Sequence, residues 1–208
     1  MRVTDVQIDV FTHAAREVAR RGLVQCSSGN LSWRLDEEQV LLSASRSWLE
    51  RLTSAEVSVC SLEDGRILNT VPPTCEVNLH LGVLRRRSDW SVVLHYQSPW
   101  ATAIACAERT DWDFNVIIEV PVYIGTPAIV PYLPPGSSEL ADAVGEAMVE
   151  HNTVILRNHG LVTAGRDFDE AIQRAVFFDL ACQILLMQDA PAPLPASALP
   201  RLRQAGRA

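Results

Sequence analysis

The N-terminal segment carries an apolar residue at every fourth position, which is the spacing of one face of a helix. These positions are Val6, Val10, Ala14 and Val18. Thr4 precedes them in the place of an N-cap, where a threonine hydroxyl accepts from a free backbone N–H group. We therefore predict a helix from residue 4 to about residue 21, ended by Gly22.

Three apolar segments have the composition of buried strands. They are QVLLSAS at 39–45, SVVLHYQ at 91–97 and NTVILRNHGLVTAG at 152–165, the last with a polar turn between two strands. A polar loop, CSSGNLSWRL at 26–35, leads into another strand. The segment SAEVSVCSLEDGRIL at 54–68 predicts a helical turn followed by a hairpin around its Glu-Asp-Gly sequence.

Four further segments have helical spacing. They are residues 75–87, SPWATAIACAE at 98–108, SSELADAVGEAMVEH at 137–151, and the final helix FDEAIQRAVFFDLACQILLMQ at 168–188. Ser137 or Ser138 opens the third of them. The stretch VIIEVPVYIG at 116–125 alternates only in part, and the prolines around it predict edge strands and connections.

Helices at both ends of the chain, around several hairpin-like strands, favour one α/β domain with a mainly antiparallel sheet. A chain of 208 residues fits one such domain. We place the domain at residues 1–189. Residues 190–208 are rich in Ala, Pro, Leu and Arg, so we expect a flexible C-terminal tail there.

Charge and cysteine content narrow the class of protein. The net charge of −7 argues against nucleic acid or an anionic membrane as the main partner. The five cysteines are odd in number and none forms a CxxC pair, which favours reduced core residues and a cytoplasmic location. The N-terminal segment lacks the apolar stretch of a signal peptide, and no window approaches a membrane span.

Two histidines are candidate metal ligands. His95 lies near the end of a predicted strand, and His159 lies in a turn beside Gly160, which permits a tight bend. Residues 95 and 97 point to the same face of the strand, so Gln97 is placed to offer a carbonyl oxygen as a second ligand. The alternatives are a structural, hydrogen-bonded histidine and a glutamine that binds substrate or water.

Glu76 stands at the start of a predicted helix, and His80 lies one turn further along it. A helix N-terminus favours an acidic residue whatever its role. The functional interpretation is a carboxylate that acts as acid or base beside a metal. For His80 we favour packing, or support of the site from behind.

Two polar loops have the composition of anion sites. Ser27, Ser28, Gly29 and Asn30 form one, and Ser43, Ala44, Ser45, Arg46 and Ser47 form the other. Glycine and short side chains allow backbone N–H groups to form a concave nest for an anion. Ordinary turns have the same composition, so both interpretations stand at this point.

Taken in order, these segments resemble the class II aldolase/adducin family. The resemblance rests on GLVQCSSGNLSWRL, LLSASRSW, PPTCEVNLH, VVLHYQSPWATAIAC, IVPYLPPGSSELADAV and VILRNHGLVTAGRDFDEA, and it covers roughly residues 10–187. Within the family the chain looks most like L-fuculose-phosphate aldolases. The resemblance implies an αβα sandwich around an antiparallel sheet, and commonly a homotetramer with sites at subunit interfaces.

The resemblance also implies a divalent metal, typically Zn²⁺, bound by two strand histidines and one histidine of the NHG turn. His95 and His159 match two ligand positions, while Gln97 replaces the other strand histidine. Glu76 matches the catalytic carboxylate.

The residues that match the family's phosphate contacts are Ser28, Gly29, Asn30, Ser45 and Thr74. Arg46 and Cys75 depart from the family, which usually has glycine and serine there; Arg46 would block the phosphate pocket or bind the phosphate.

The implied activity is cleavage of a ketose 1-phosphate, such as L-fuculose 1-phosphate, to dihydroxyacetone phosphate and an aldehyde through a metal-stabilised enediolate. Family relatives act as epimerases, dehydratases or decarboxylases, and the adducin branch is not catalytic. Family aldolases also use a tyrosine from a neighbouring subunit, and neither Tyr123 nor Tyr132 can be aligned with it securely.

Overall fold

The computed structural model describes residues 3–206, which form a central seven-stranded sheet with helices on both faces. The strands are β1 Asn30–Arg34, β2 Gln39–Ser43, β3 Val57–Ser61, β4 Val92–Tyr96, β5 Ala128–Val130, β6 Thr153–Leu156 and β7 Gly160–Gly165. The helices are α1 Asp5–Arg20, α2 Val77–Arg86, α3 Pro99–Cys106, α4 Ser138–Glu150, α5 Phe168–Met187 and α6 Leu199–Ala205. The expected α/β class with a flanked central sheet is confirmed.

The strand order is β3-β2-β1-β4-β7-β6-β5. Within residues 3–206 the pairs are antiparallel except for β5 with β6, so the sheet is mainly antiparallel as expected. In the β1–β4 ladder Asn30 lies opposite His95. This register places the end of the first polar loop beside the first candidate ligand.

Side-chain alternation along the strands separates two cores. Val92, Leu94 and Tyr96 face one core with α1, α3 and α5, whereas Val93 faces the other core with α2 and α4. His95 alternates with its neighbours and therefore shares the face of Val93. The sheet thus aims His95 at the layer that contains α2.

Helix α1 begins as predicted, because Thr4 and Gln7 form a reciprocal capping box. Its buried face differs from the predicted one. Phe11, Ala15 and Val18 are fully buried, but Val6 and Val10 are 70% and 44% exposed. The face is therefore rotated towards the bulky phenylalanine, which removes more apolar surface from water than valine does.

Other expectations were wrong in part. Val120–Ile124 forms one turn of π-helix that ends at Gly125 with φ +76°, and the short edge strand β5 follows it. Helix α5 is not the last helix, since α6 follows in the tail. Whether the tail is flexible stays a prediction, and residues 207 and 208 lie outside the described part.

The cysteines are all free, but only Cys60 and Cys182 are buried. The expectation that most of them fill the core was therefore wrong. Among residues 3–206, none of the helices combines the length and apolar character needed to cross a bilayer.

Candidate active site

The ten residues singled out from the sequence line one cavity of about 360 Å³. They are Ser28, Gly29, Asn30, Ser45, Arg46, Thr74, Glu76, His95, Gln97 and His159. They come from β1, β4, the start of α2, the turn between β6 and β7, and the loops that follow α1 and β2. The structure thus places all of them together, although their chemical roles stay predictions.

Glu76, His95 and His159 converge at the base of the cavity. The Nε2 atom of His95 lies 3.4 Å from Oε2 of Glu76. The Nε2 atom of His159 lies 3.6 Å from Oε1 of the same carboxylate. One ligand atom from each residue lies within 4.8 Å of the others, which is the spacing of groups that share a metal ion.

The orientation of His95 suits a metal ligand. Its Nδ1 lies 2.9 Å from the carbonyl oxygen of Leu161. A carbonyl can only accept, so Nδ1 carries a hydrogen and donates it, and Nε2 is the nitrogen that faces Glu76. Metal-binding histidines are commonly fixed by such a bond from their other nitrogen.

The turn that carries His159 depends on its two neighbours. Asn158 has φ +55°, and the His159 N–H donates to the Leu156 carbonyl oxygen across the turn. The left-handed residue is therefore Asn158, which tolerates this conformation better than most residues. Gly160 is needed for space, because a Cβ there would lie 2.7 Å from the Tyr96 carbonyl oxygen.

Gln97 lines the cavity beside the histidines. Its Nε2 donates to the backbone carbonyl oxygen of His159 over 2.7 Å. This bond uses the amide nitrogen and leaves the side-chain carbonyl oxygen free to coordinate a cation. The contact also ties strand β4 to the turn of His159.

Glu76 is 4% exposed and stands at the N-cap of α2. Burial raises its pKa, but the electrostatic interaction with His95, the hydrogen bond from Asn30 and the electrostatic interaction with His159 together hold that pKa below its ordinary value. Asn30 donates from Nδ2 to Oε2 over 2.9 Å. The carboxylate is therefore ionised in the resting site, which is the form that can accept a proton or bind a cation.

Burial and the charge of nearby His95 lower the pKa of His159, although Glu76 opposes the shift. A neutral imidazole is the form that binds a metal. Among the described residues, Oε1 of Glu76 and Nδ1 of His159 are buried without a hydrogen-bond partner. The donor set and the buried negative charge of Glu76 both fit a divalent cation, which would compensate the buried carboxylate.

The first polar loop passes close to His95. Gly29 has φ +79°, and a Cβ there would lie 2.8 Å from the His95 carbonyl oxygen. Only glycine accommodates both conditions. The Ser28 hydroxyl accepts from the Gln25 N–H, and the Thr74 hydroxyl accepts from the Glu76 N–H, so the cavity walls are ordered by short polar contacts.

Arg46 lies at the exposed side of the cavity with φ +62°. This left-handed conformation is costly for a residue with a Cβ, and such strain is concentrated at functional sites. Among the described residues that line the cavity, Arg46 is the only lysine or arginine. Its guanidinium places a positive charge beside the two polar loops, whose composition is typical of anion sites.

Sequence reasoning missed how the site is supported. It did not find the bond from Asn30 to Glu76, nor the contact of Asn30 with His80. The sequence did contain one indication that His80 lies close to Glu76. The two residues are four positions apart, and residues at this spacing share a helix face. Cys75 and Pro135 also line the cavity, whereas Tyr123 and Tyr132 do not line it in the described chain.

Comparison with known proteins now defines the class. A family model described as the class II aldolase and adducin N-terminal domain matches residues 10–186. The chain belongs to this family, as the resemblance implied. Its matched relatives include enzymes of two kinds, decarboxylases and aldolases.

Three similar proteins illustrate the range of activities named within the family. A 3-oxo-tetronate 4-phosphate decarboxylase of Haemophilus influenzae is 30% identical over 81% of this chain and 82% of its own length. An L-fuculose phosphate aldolase of Methanococcus maripaludis is 31% identical over 79% of this chain and 87% of its own length. The crystal structure of YgbL from Escherichia coli, a candidate aldolase/epimerase/decarboxylase, is 27% identical with a TM-score of 0.88, covering 95% of this chain and 98% of that one.

Proposed function

We propose that this protein is a metal-dependent lyase that breaks a carbon–carbon bond next to the carbonyl of a sugar phosphate or its oxo acid. The observation that carries the proposal is the convergence of Glu76, His95 and His159 at the base of one cavity. Retention of all three groups argues against a purely structural, adducin-like role.

His95 and His159 would hold the divalent ion, most simply Zn²⁺, with the carbonyl oxygen of Gln97 as a further ligand. When bound, the ion supplies Lewis-acid polarisation of the substrate's carbonyl oxygen. The three residues fit this role because both imidazoles are positioned with Nε2 near the carboxylate.

The phosphate of the substrate is assigned to the two polar loops. Ser28 and Gly29 contribute from the first loop and Ser45 from the second, with Thr74 between them. Arg46 adds the positive charge, and a guanidinium binds phosphate or carboxylate with paired hydrogen bonds. The predicted blocking role of Arg46 is less favoured, because its side chain is exposed at the edge of the cavity.

The two substrate types named for the relatives lead to the same species. In a 3-oxo-tetronate 4-phosphate, breakage of the bond to the carboxylate releases CO₂ and leaves its electron pair as an enediolate. In L-fuculose 1-phosphate, the hydroxyl proton leaves, an aldehyde departs and the same enediolate remains. Protonation of the enediolate carbon gives dihydroxyacetone phosphate in both reactions.

Decarboxylation is the reaction we favour. It requires one proton-transfer group, because no hydroxyl has to be deprotonated before the bond breaks. Glu76 is the only carboxylate among the described residues that line the cavity. Negative charge on the bound substrate raises the pKa of Glu76, so Glu76 takes up a proton from solvent and then delivers it to the enediolate carbon.

Aldol cleavage of a ketose 1-phosphate is the second candidate. The similarity to L-fuculose phosphate aldolases and the shared enediolate support it. It also needs a group that takes the hydroxyl proton, and a residue from a neighbouring subunit would supply it in the homotetramer that we expect. The cytoplasmic location likewise stays a prediction.

The test is formation of dihydroxyacetone phosphate by the metal-loaded protein from each substrate in turn. We expect product from the 3-oxo-tetronate 4-phosphate, and a loss on the order of 10²–10⁴-fold in kcat for Glu76→Gln. Product from L-fuculose 1-phosphate alone would establish the second candidate instead. Absence of product from both would contradict the proposal.

A further inference from the structure

A buried chain of polar groups runs from β1 to Glu76. The Oγ of Ser32 lies 2.8 Å from Nδ1 of His80, and Nε2 of His80 lies 2.5 Å from Oδ1 of Asn30. Asn30 then donates to Oε2 of Glu76 over 2.9 Å. Ser32 and His80 are fully buried, and Asn30 is 8% exposed, so water does not compete for these bonds.

The direction of every bond in this chain follows from its carboxylate end. An ionised carboxylate only accepts, so the Asn30 amide must present its nitrogen to Glu76 and its oxygen to His80. That oxygen also only accepts, which requires a hydrogen on Nε2 of His80. Nδ1 of neutral His80 then carries a lone pair and accepts from the Ser32 hydroxyl.

Neutrality of His80 is consistent with its surroundings. Burial lowers the pKa of His80 to about 3, against a smaller opposing effect of Glu76. The ring is therefore uncharged near neutral pH and has a single N–H group to place. In this state Nε2 of His80 donates to Asn30, while the single hydrogen of the Ser32 hydroxyl is shared between Nδ1 of His80 and the Val93 carbonyl oxygen, which lies 3.5 Å from Oγ.

The two oxygens of Glu76 become different as a result. Oε2 accepts from Asn30, whereas Oε1 is buried without a partner in the described chain and lies 3.6 Å from Nε2 of His159. A carboxyl group that already accepts at Oε2 places an added proton on Oε1. We propose that His80 is a positioning residue that acts through Asn30 to make Oε1 the atom of Glu76 that exchanges the proton with substrate.

This inference rests on the proposed acid–base role of Glu76. It also refines the predicted role of Asn30. The side-chain oxygen of Asn30 is turned inward to His80, so contact with a phosphate falls to its backbone or to its second amide hydrogen. Asn30 thereby connects the first polar loop to the carboxylate at the base of the cavity.

The kinetic test compares His80→Leu with His80→Gln in the metal-loaded protein. Leucine removes the donor, whereas the glutamine amide nitrogen takes the place of Nε2 and can still donate to Asn30. We expect His80→Leu to lower kcat roughly 10-fold to 100-fold with KM changed less than about threefold, as for other groups that orient a site from behind. His80→Gln should recover most of the loss, and exposed His13→Gln is the matched control, with no change.

An equal loss in the leucine and glutamine variants, or a loss confined to KM, would overturn the proposal. A second measurement does not need substrate. Nitrogen NMR of the ¹⁵N-histidine-labelled protein should show His80 as the neutral Nε2–H tautomer, and an Nδ1–H tautomer would also overturn the proposal. A correct tautomer without turnover of either substrate would count against the proposed function and not against the hydrogen-bond chain.

Discussion

The imidazole rings of His95 and His159 lie edge to face, with their centroids 4.8 Å apart. Each ring directs Nε2 towards a different oxygen of Glu76. This arrangement brings two imidazole nitrogens and one buried negative charge to the same point. A divalent cation satisfies all three groups, since burial of an uncompensated charge is costly.

The first prediction concerns metal content. The purified wild-type protein should hold about one divalent ion per chain, and His159→Ala should weaken its binding by at least about tenfold. Elemental analysis and competition with a chelator measure this. His151→Ala is the control, because Nδ1 of His151 bonds to the Thr126 carbonyl oxygen, away from the cavity. Equal metal content in all three proteins would contradict the assignment.

The second prediction concerns Gln97. Gln97→Leu keeps the volume of the side chain but removes both the carbonyl oxygen and the bond to the His159 backbone. Metal affinity should fall in this variant by roughly 10-fold to 100-fold. Gln97→His should raise the affinity above that of the wild type, because an imidazole is a stronger zinc ligand than an amide oxygen. If neither variant changes the affinity, Gln97 is not a ligand.

The third prediction separates the effect of the left-handed backbone conformation of Arg46 from the effect of its guanidinium group. Arg46→Gly removes the left-handed strain and should be about 1 kcal/mol more stable than Arg46→Ala, which retains it. Both variants lose the guanidinium, so both should raise KM for the phosphorylated substrate to a similar extent. Urea unfolding and steady-state kinetics provide the two measurements. An unchanged KM in both variants would remove Arg46 from the binding site.

The fourth prediction concerns pH. Burial lowers the pKa of His80 in the folded protein to about 3, whereas the pKa of an unburied histidine is 6.5. Below about pH 6.5 the unfolded chain therefore takes up a proton that the folded chain does not. The contribution of His80 to the free energy of unfolding is therefore complete above about pH 6.5. It is lost as the pH falls towards about 3, by at most about 1.4 kcal/mol per pH unit.

His80→Gln has no such proton to gain. Urea unfolding between about pH 6.5 and pH 4 should show a shallower loss of stability for this variant than for the wild type. The exposed His13→Gln variant is the control for replacing a histidine by glutamine elsewhere in the chain. Parallel curves for the wild type and His80→Gln would show that His80 takes up its proton equally in the folded and unfolded states, which would contradict the lowered pKa.

Local rules predicted much of the fold. The capping residues Thr4 and Ser137 open α1 and α4, because their hydroxyl groups satisfy nearby backbone N–H groups whatever the rest of the chain does. Alternation along β4 placed residues 95 and 97 on one face. The π-helical turn at 120–124 was missed, since its partial alternation is common to strands and to irregular helical segments.

The sequence predicted which residues lie together in the cavity, but not the contacts between them. These residues were found from local composition and from the family resemblance. The contacts of Asn30 with Glu76 and His80 join residues 46 and 50 positions apart, so they depend on strand register and helix placement. No local pattern encodes such distances. The exposure of Val6 and Val10 escaped prediction for the same reason, because helical spacing identifies a face but not what covers it.

The register of β1 against β4 has a consequence for how the protein matures. Asn30 meets His95 only after the intervening chain has closed a long loop, and His95 bonds to Leu161 across a separation of 66 residues. Loops of this length form late, because their ordering entropy is lost before the contacts are gained. Metal uptake should thus lag behind helix formation during refolding, so an incomplete chain or a folding intermediate carries no reactive centre.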